Sequence, residues 1–336
     1  MNVSKKCIII TTINPPSQQV IHYSQINDWD LIIVGDSKTN DELYLNLNCI
    51  YLGLKEQKCF FPSFYNKIPL NSYARKMFGY LYAIKNKYDV IYDTDDDNKY
   101  TENLDDYNLI ARKCKTCTTL GFVNLYKVFT DKNIWPRGIP PNDSVSISKL
   151  PELSNETYHE NSSLTQGLVN NDPDVDAYYR ININNKSFVF EKDPGYDIIL
   201  DKYSVFPINT QNTFWTDPAM FYAMYLPITV TFRYTDILRG FVALFQFWKN
   251  NKHVKITFPT AHQDRNEHDL QKDMESELSM YASAEQVIKL LNDNKNATLL
   301  DVYVVLLENG VVKSDELDIV KEWMSLVMSY ADEDLH

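Results

Sequence analysis

The sequence has little positive charge and no long apolar run. It carries 45 acidic residues against 33 lysines and arginines, for a net charge of −12. Nothing in it resembles the basic stripe that binds nucleic acid phosphates, so we expect no nucleic acid partner. No run of about 18 apolar residues occurs, so the sequence predicts no membrane span. The apolar run Cys7–Ile10 is too short for a signal peptide. We therefore expect a cytoplasmic or otherwise soluble protein.

Cysteine is also scarce. The five cysteines are an odd number without the spacing of a disulfide framework, which is typical of a reducing compartment. Cys114 and Cys117 form a single CxxC motif with no second pair. This motif leaves zinc or redox use open, but it favours ordinary thiols. The sequence contains no internal repeat and no low-complexity tract.

The apolar residues, 44% of the chain, are sufficient for a large core. A strand at residues 7–13, a helix at 17–26 and a strand at 30–34 alternate from the start of the chain. This alternation predicts an α/β sheet of the nucleotide-binding type. Apolar residues at helical spacing predict helices in the last seventy residues. We expect one α/β domain over residues 1–265 and a helical extension over residues 266–336.

An acidic cluster stands out at Val90–Asn98. Strand-forming residues lead directly into Asp93, Asp95, Asp96 and Asp97, whose charges repel one another unless a cation neutralises them. A calcium loop does not fit, because the cluster follows a predicted strand and lacks the glycine and glutamate that such loops require. A solvated acidic turn remains an alternative. All-oxygen ligands at a strand end favour a Mg²⁺ or Mn²⁺ site with a diphosphate.

Several polar residues near the predicted strand ends are further candidates. Asp36 ends the second strand, where it either binds a ribose or base edge or caps a turn. Asn71 is placed to cap the following helix. Arg75 and Lys76 lie off the apolar stripe of that helix, so they belong either to a solvated surface or to a diphosphate site.

The middle of the chain combines rigid and polar segments. Ile134–Pro141 contains three prolines and cannot be helical. We expect the polar segment at residues 142–164 to be a mobile flap near the active site. The carboxylates at residues 172–176 either border an acceptor site or cap the next segment. A strand is predicted at residues 228–232, and Asp236 is placed to cap a long apolar helix that runs to Trp248.

These motifs resemble the STELLO family of proposed glycosyltransferases, known from plant cell-wall biosynthesis. The resemblance runs in order from about residue 8 to 282, and the helices after about Ala282 lie outside it. It rests on the segments at residues 12–16, 29–36, 71–76, 91–98, 134–138, 172–177, 235–240 and 263–268. A weaker likeness links the chain to the reversibly glycosylated polypeptides, which resemble UDP-arabinose mutases. Both likenesses imply a GT-A fold and a UDP-sugar donor held through a DxD metal site.

The resemblance also implies roles for individual residues. The metal, Mn²⁺ or Mg²⁺, is assigned to Asp95, Asp97 and His268. The catalytic base of an inverting transfer is Asp236. Nucleotide-sugar binding is assigned to Thr12, Asn14, Asp36, Lys38, Asn71, Arg75, Lys76, Asp95, Asp96, Arg137 and Arg265. The side of the glycan or glycosylated acceptor is assigned to Asp174, Asp176 and Arg239. A UDP-sugar mutase and a scaffold with little turnover remain alternatives, and a homo-oligomer is compatible with the sequence.

Overall fold

The computed structural model describes residues 4–104, 113–155, 157–158, 162–183, 187–265 and 269–332. The strands are β1 (Lys6–Thr11), β2 (Asp30–Val34), β3 (Ile50–Leu52), β4 (Val90–Thr94), β5 (Asn98–Tyr100), β6 (Lys113–Cys117), β7 (Gly121–Phe122), β8 (Thr157–Tyr158), β9 (Leu164–Asn170), β10 (Tyr196–Leu200), β11 (Ser204–Val205), β12 (Asn212–Trp215) and β13 (Val254–Gln263). The helices are α1 (Gln18–Tyr23), α2 (Leu54–Phe60), α3 (Pro62–Tyr65), α4 (Met77–Lys85), α5 (Tyr126–Phe129), α6 (Ser144–Ser148), α7 (Ala177–Ile183), α8 (Phe232–Lys249), α9 (Leu270–Asp293), α10 (Leu299–Glu308) and α11 (Asp315–Asp332). Short 3₁₀ helices include Tyr73–Lys76, directly before α4.

The strands build a mixed α/β sheet in the order β3-β2-β1-β4-β12-β9-β13-β10-β6-β8. Its first half is parallel, because β1 pairs in parallel with both β2 and β4 and β2 pairs in parallel with β3. Beyond β4 the directions are mixed: β12 is antiparallel to both β4 and β9, β13 is parallel to β9, and β10 is antiparallel to β13 but parallel to β6. The predicted fold class is confirmed: a mixed α/β sheet with a helical C-terminal part, compatible with a GT-A-like fold.

The pairing register brings the polar strand ends together. Thr11 pairs with Val34 at the ends of β1 and β2, and Ile9 pairs with Asp93 near the end of β4. Parallel strands carry their carboxyl ends to one edge of the sheet, where ligands of open α/β sheets bind. The residues after these strands, including the acidic cluster, therefore lie at one edge.

The C-terminal helices share a core with the sheet. A single cluster of buried apolar residues joins Ile9 and Trp215 of the sheet to Met280, Tyr303 and Trp323 of α9, α10 and α11. The helical extension is therefore packed on the sheet as expected. Among the described residues, no helix has the length and apolar character needed to cross a membrane.

Glu316 of α11 fastens this extension with a carboxylate that is completely buried. It accepts hydrogen bonds from the Tyr225 hydroxyl at 2.5 Å, the Thr229 amide at 2.8 Å and the Ile228 amide at 3.0 Å. A buried charge is tolerated only when it is hydrogen-bonded in this way. The contact fixes the loop that leads into α8.

The predicted strand at residues 228–232 is wrong. Residues 228–230 form a bend, and α8 begins at Phe232 with Thr231 as its N-cap residue. Asp236 therefore lies inside α8 and does not cap it. The cap assigned to Asn71 is also wrong, because the Ser72 hydroxyl accepts the hydrogen bond from the Ala74 amide.

Gly240 lies where α8 crosses the chain beside Ile208. A Cβ atom at this position would lie 1.9 Å from the Ile208 carbonyl oxygen, a backbone atom that cannot move aside alone. We expect Gly240→Ala to lower the free energy of unfolding by at least the roughly 1–3 kcal/mol typical of overpacking. Urea denaturation measures this change.

Gly310→Ala is the matched control for this substitution. Nothing lies within 4 Å of a Cβ atom at Gly310, although its φ of +73° still disfavours alanine. The control should cost about 1 kcal/mol, from the left-handed backbone alone. Equal losses of stability in the two variants would contradict the close contact between Gly240 and Ile208.

Candidate active site

A cavity of about 330 Å³ opens at the carboxyl edge of β1, β2 and β4. Among the described residues, its lining comprises Thr11, Thr12, Ile13, Asn14, Asp36, Lys38, Asn71, Ser72, Tyr73, Asp95, Asp96, Asp97, Arg137, Asp174, Arg180, Thr210, Gln211, Phe232, Arg233, Asp236, Gln263 and Arg265. The lining thus combines acidic side chains from the strand ends with arginines from α7, α8 and the end of β13. This combination of charges suits a ligand that has both hydroxyl and phosphate groups.

The first carboxylate of the cluster, Asp93, is neutralised by the protein itself. Asp93 is completely buried, and its Oδ1 atom lies 2.7 Å from the Lys76 ammonium. Its Oδ2 atom accepts the Tyr80 hydroxyl at 2.9 Å and lies 3.5 Å from the Arg239 guanidinium. Lys76 also donates to the Thr94 carbonyl at 2.6 Å. A buried ionic cluster of Asp93, Lys76 and Arg239 therefore lies beneath the cavity.

Asp95 connects this buried ionic cluster to the cavity. Its Oδ1 atom accepts the Tyr73 hydroxyl at 2.8 Å and the Lys76 ammonium at 3.3 Å. Burial raises the pKa of Asp95, while the charge of Lys76 and the bond from Tyr73 oppose that rise. The side chain remains 28% exposed, so Asp95 can still contact a ligand.

Asp96 and Asp97 point to different sides. Asp96 accepts the Thr12 hydroxyl and, at 2.9 Å, the Asn14 amide, both from the segment after β1. Asp97 accepts the Gln263 amide, whose nitrogen lies 3.1 Å from each carboxylate oxygen. The four carboxylates thus fan out, each with its own polar contacts, which lowers the repulsion between them.

Arg137 connects the loop before α6 to α8. Its guanidinium donates to the Asp174 carboxylate at 2.7 and 3.0 Å and to the Asp236 carboxylate at 3.0 and 2.7 Å. Burial lowers the pKa of Arg137, but Asp174 and Asp236 outweigh burial and raise it well above its ordinary value. Burial likewise raises the pKa of Asp174, and Arg137 more than offsets this, so that it is lowered overall. The three charges form a stable buried group along the cavity.

Three further arginines line the cavity, on α7, α8 and the segment after β13. Arg180 contacts Asp172, Arg233 lies 2.6 Å from Glu277, and Arg265 lies 2.9 Å from Asp273. We call Arg180, Arg233 and Arg265 the arginine wall.

Most of the site residues assigned from the sequence line this cavity. They are Thr12, Asn14, Asp36, Lys38, Asn71, Asp95, Asp96, Asp97, Arg137, Asp174, Asp236 and Arg265. His268 lies outside the described residues. The roles of these residues in binding or catalysis remain predictions.

Four assigned residues do not line the cavity, and their predicted direct contacts with a ligand are corrected here. Arg75 is completely buried, donates to Gln57 and Ile68, and lies over the Tyr65 ring. Lys76 and Arg239 are bound beneath the cavity by Asp93, as described above.

Asp176 is the fourth of these residues. It accepts the Tyr179 amide at 2.6 Å at the start of α7 and the Trp135 indole N–H at 2.8 Å. The alternative that a carboxylate of this segment caps the next one is therefore correct for Asp176. Asp174, two positions earlier, does line the cavity.

The flap predicted at residues 142–164 also differs from the structure. Its described residues include α6, whose N-cap is Asp143 and whose Ile147 is buried, and β8, which pairs with β6 at the far end of the sheet. None of the described residues of this segment is part of the cavity lining. A polar composition did not indicate a position near the site.

Sequence reasoning missed Arg180 and Arg233. Arg180 follows the Asp-rich segment 172–176, and Arg233 lies two positions before the first residue of the Thr-Asp-Ile-Leu-Arg-Gly motif. Proximity to these two motifs was the only available signal. The sequence did not predict where either side chain points, because it did not identify α7 or the true start of α8.

The described residues supply only part of a set of ligands for a metal ion. Among the described residues, no group of three histidines, cysteines or carboxylates is arranged to hold an ion. Asp95 and Asp97 nevertheless present oxygen ligands to the cavity. Mg²⁺ is commonly held by one or two carboxylates together with substrate phosphates and water. The two carboxylates fit an ion that binds together with a diphosphate.

Burial of Asp176 predicts a pH-dependent stability. Desolvation raises its pKa from 3.8 to about 6 in the folded state. Between these values the folded chain binds more protons than the unfolded chain, so the free energy of unfolding falls as pH rises through this window. The loss from this group is at most about 3 kcal/mol, at about 1.4 kcal/mol per pKa unit. Below this window Asp176 is protonated in both states, and its burial no longer lowers the free energy of unfolding.

Asp176→Asn should remove this contribution. Urea denaturation of both proteins at several pH values from 4 to 7 measures it, and the stability of the native protein relative to the variant should fall as the pH rises. A difference that does not change with pH would show that Asp176 titrates normally in the folded protein. Any loss of the hydrogen bonds to Tyr179 or Trp135 lowers the variant equally at every pH.

Comparison with known proteins shows two similar curated proteins from Arabidopsis thaliana. "Probable glycosyltransferase STELLO2" is 25% identical and "Probable glycosyltransferase STELLO1" is 26% identical to this chain, each over 355 aligned residues. Each alignment covers 96% of this chain and 44% of the relative. The chain thus spans less than half the length of the curated relatives that it matches. No family model matches the chain.

These comparisons confirm the resemblance to the STELLO family. At 96% coverage the similarity extends well beyond residue 282, so the prediction that the last helices lie outside it is wrong. The names of the relatives support a glycosyltransferase.

Proposed function

We propose that the chain transfers a sugar from a UDP-sugar donor to a glycan or glycosylated acceptor, with inversion and with help from Mn²⁺ or Mg²⁺. The observation that carries this proposal is the cavity at the carboxyl edge of β1, β2 and β4, which is lined by both the acidic strand end and the arginine wall. The names of the two relatives support the same reaction class.

The reaction explains why cations are needed in the cavity. Sugar transfer breaks the bond between the anomeric carbon and the diphosphate oxygen, and the departing diphosphate gains negative charge. Groups fixed in advance around that charge lower the barrier most effectively when water is excluded. Arg265 and its neighbours in the arginine wall provide such groups on rigid elements. Their planar guanidinium groups match the oxygens of a phosphate in pairs.

Asp95 and Asp97 would hold the metal ion. Carboxylate oxygens suit the hard ions Mg²⁺ and Mn²⁺, and these two side chains line the cavity from the short connection between β4 and β5. When bound, such an ion supplies Lewis-acid stabilisation of the leaving diphosphate. The fixed contacts of Tyr73 with Asp95 and of Gln263 with Asp97 orient the two carboxylates.

The nucleoside would lie along the ends of β1 and β2. Asp36, Lys38 and Asn71 line the cavity there. Asp36 accepts the Ser72 amide through one oxygen at 3.1 Å, which orients the carboxylate and leaves lone pairs for a ribose or base edge. Asp96, held by Thr12 and Asn14, is the second candidate for a ribose contact.

Asp236 is proposed as the base that removes the acceptor proton. It projects from α8 into the cavity, and Arg137 occupies one lone pair on each of its oxygens. A carboxylate has about four acceptor positions, so oxygens remain available to an acceptor hydroxyl. Asp174, which accepts hydrogen bonds from the same Arg137, supports an acceptor site beside this group.

The proposal is tested by screening nucleotide sugars against the chain with and without Mn²⁺. Ligands that bind the folded state raise the melting temperature according to their occupancy, so UDP-sugars should stabilise the chain more with Mn²⁺ present. Those that stabilise it are then assayed for UDP release with glycan acceptors. Isomerisation of the UDP-sugar without an acceptor would indicate a mutase. Binding without turnover under any condition would indicate a scaffold, and the absence of binding would overturn the proposal.

A further inference from the structure

The arginine wall differs from Arg137 in where its counter-charges lie. The carboxylates bound to Arg137, Asp174 and Asp236, themselves line the cavity. The carboxylates bound to the arginine wall are Asp172, Asp273 and Glu277. None of these is among the described residues of the cavity lining. The wall therefore presents positive charge to the cavity, while its neutralising charge is held behind it.

The three guanidinium groups are also close and poorly hydrated. The side chains of Arg180, Arg233 and Arg265 are only 14%, 11% and 13% exposed. Burial, together with the charges of Arg180 and Arg233, lowers the pKa of Arg265 to about 10. Like charges at such sites repel strongly because little water screens them. An anion bound among the three would relieve that repulsion.

We infer that Arg180, Arg233 and Arg265 form a subsite that binds the diphosphate of the donor without a divalent ion, and that Glu277 of α9 positions this subsite. The inference rests on the proposed function and specifies how its donor is held. The arginines contact the anion directly. The metal carboxylates Asp95 and Asp97 line the same cavity and add to the affinity when an ion is present.

Glu277 is the positioning residue because it joins three elements. Its carboxylate is completely buried. It accepts the Ala177 amide at 2.7 Å at the start of α7 and the Arg233 Nε–H at 2.8 Å in the first turn of α8. The Tyr281 hydroxyl, one turn further along α9, donates to the same carboxylate. One side chain thus holds Arg233 directly and fixes the start of the helix that carries Arg180.

Calorimetry with inorganic pyrophosphate in EDTA tests the subsite without nucleoside, sugar or metal. The full chain should bind pyrophosphate, and bind it more tightly than orthophosphate. Arg180→Gln and Arg233→Gln should each weaken binding by about tenfold to a hundredfold, the usual effect of a charge-assisted hydrogen bond. Lys289→Gln makes the same change of charge at a side chain that is 75% exposed, and it should leave binding unchanged.

Three results would overturn the subsite. These are pyrophosphate binding only when Mn²⁺ is added, orthophosphate binding that is equally tight, and arginine variants that bind pyrophosphate as tightly as Lys289→Gln. Melting temperatures are measured for every variant, and Arg233→Lys serves where Arg233→Gln is unfolded. The lysine keeps the charge but loses the planar fork, so it should still weaken binding.

A double-mutant cycle tests the positioning role of Glu277. Glu277→Gln should weaken pyrophosphate binding in the native background and weaken it less when Arg233→Gln is already present, because only the effect through α7 and Arg180 then remains. Equal effects in both backgrounds would show that Glu277 does not act through Arg233. Stability can change in either case, so affinity decides.

The two proposals can fail separately. Pyrophosphate binding with the expected variant effects, but without any turnover of UDP-sugars, would keep the subsite and reject the proposed transfer. Metal-dependent transfer with no pyrophosphate binding in EDTA would keep the transfer and reject the subsite.

Discussion

Asp236→Asn is expected to lower the turnover of sugar transfer by about 10² to 10⁴-fold, the usual contribution of a general base. Asparagine has nearly the same shape as aspartate but cannot take a proton from the acceptor hydroxyl. The affinity for UDP should barely change, because the base contacts the acceptor. Helix capping no longer competes as an explanation, since Asp236 lies inside α8.

The competing explanation is now the bond to Arg137, and Asp174→Asn controls for it. Each substitution removes one of the two carboxylates that neutralise Arg137, so each disturbs the same buried group. Only Asp236→Asn removes the proposed base. Turnover, UDP affinity and melting temperature should be measured for both variants. If Asp174→Asn is equally slow, or if Asp236→Asn turns over normally, Asp236 is not the base.

The second large effect concerns Asp97 and the metal. Mn²⁺ should raise the affinity of the native chain for UDP, and Asp97→Asn should abolish most of this increase, a loss of about tenfold or more (about 1.4 kcal/mol per tenfold). In EDTA the variant should bind UDP at least as tightly as the native chain. This is because the variant has one less carboxylate to repel the diphosphate, while its arginine wall is unchanged.

Calorimetry of UDP with Mn²⁺ and with EDTA measures this difference in both proteins. Asp264→Asn is the control, because the Asp264 amide donates to the Asp97 carbonyl at 3.0 Å, its side chain is 64% exposed, and it is not among the described residues of the cavity lining. The control should keep the full effect of Mn²⁺. A response to Mn²⁺ in Asp97→Asn equal to that of the control would exclude Asp97 as a metal ligand.

The sequence predicted the first parallel strands well, because short apolar runs bounded by polar turns have few alternative structures. Strand β2 has the predicted bounds, and β1 begins one residue and ends two residues before its predicted bounds. The edge at which the site lies followed from a general rule, since loops after parallel strands converge. The acidic cluster could therefore be located before any side chain was placed.

The directions of the charged side chains could not be predicted in the same way. Lys76 was expected to reach a diphosphate, yet its ammonium turns inward to neutralise Asp93. The choice depends on which buried charge lacks a counter-ion, and that is a property of the packed fold. Arg239 likewise turns inward to Asp93, although the two residues are 146 positions apart in the chain. Such pairs leave no pattern in local sequence.

Glu277 and Glu316 have a consequence for the order in which the protein is made. Domains synthesised on the ribosome begin to fold from the N-terminal side, and all strands of the sheet precede α9 in the chain. The acidic edge can thus be complete while Arg233 and the loop at residues 225–229 still lack the carboxylates that fix them. Because Glu316 lies in α11, the contacts that fix the loop before α8 can form only after α11 has left the ribosome.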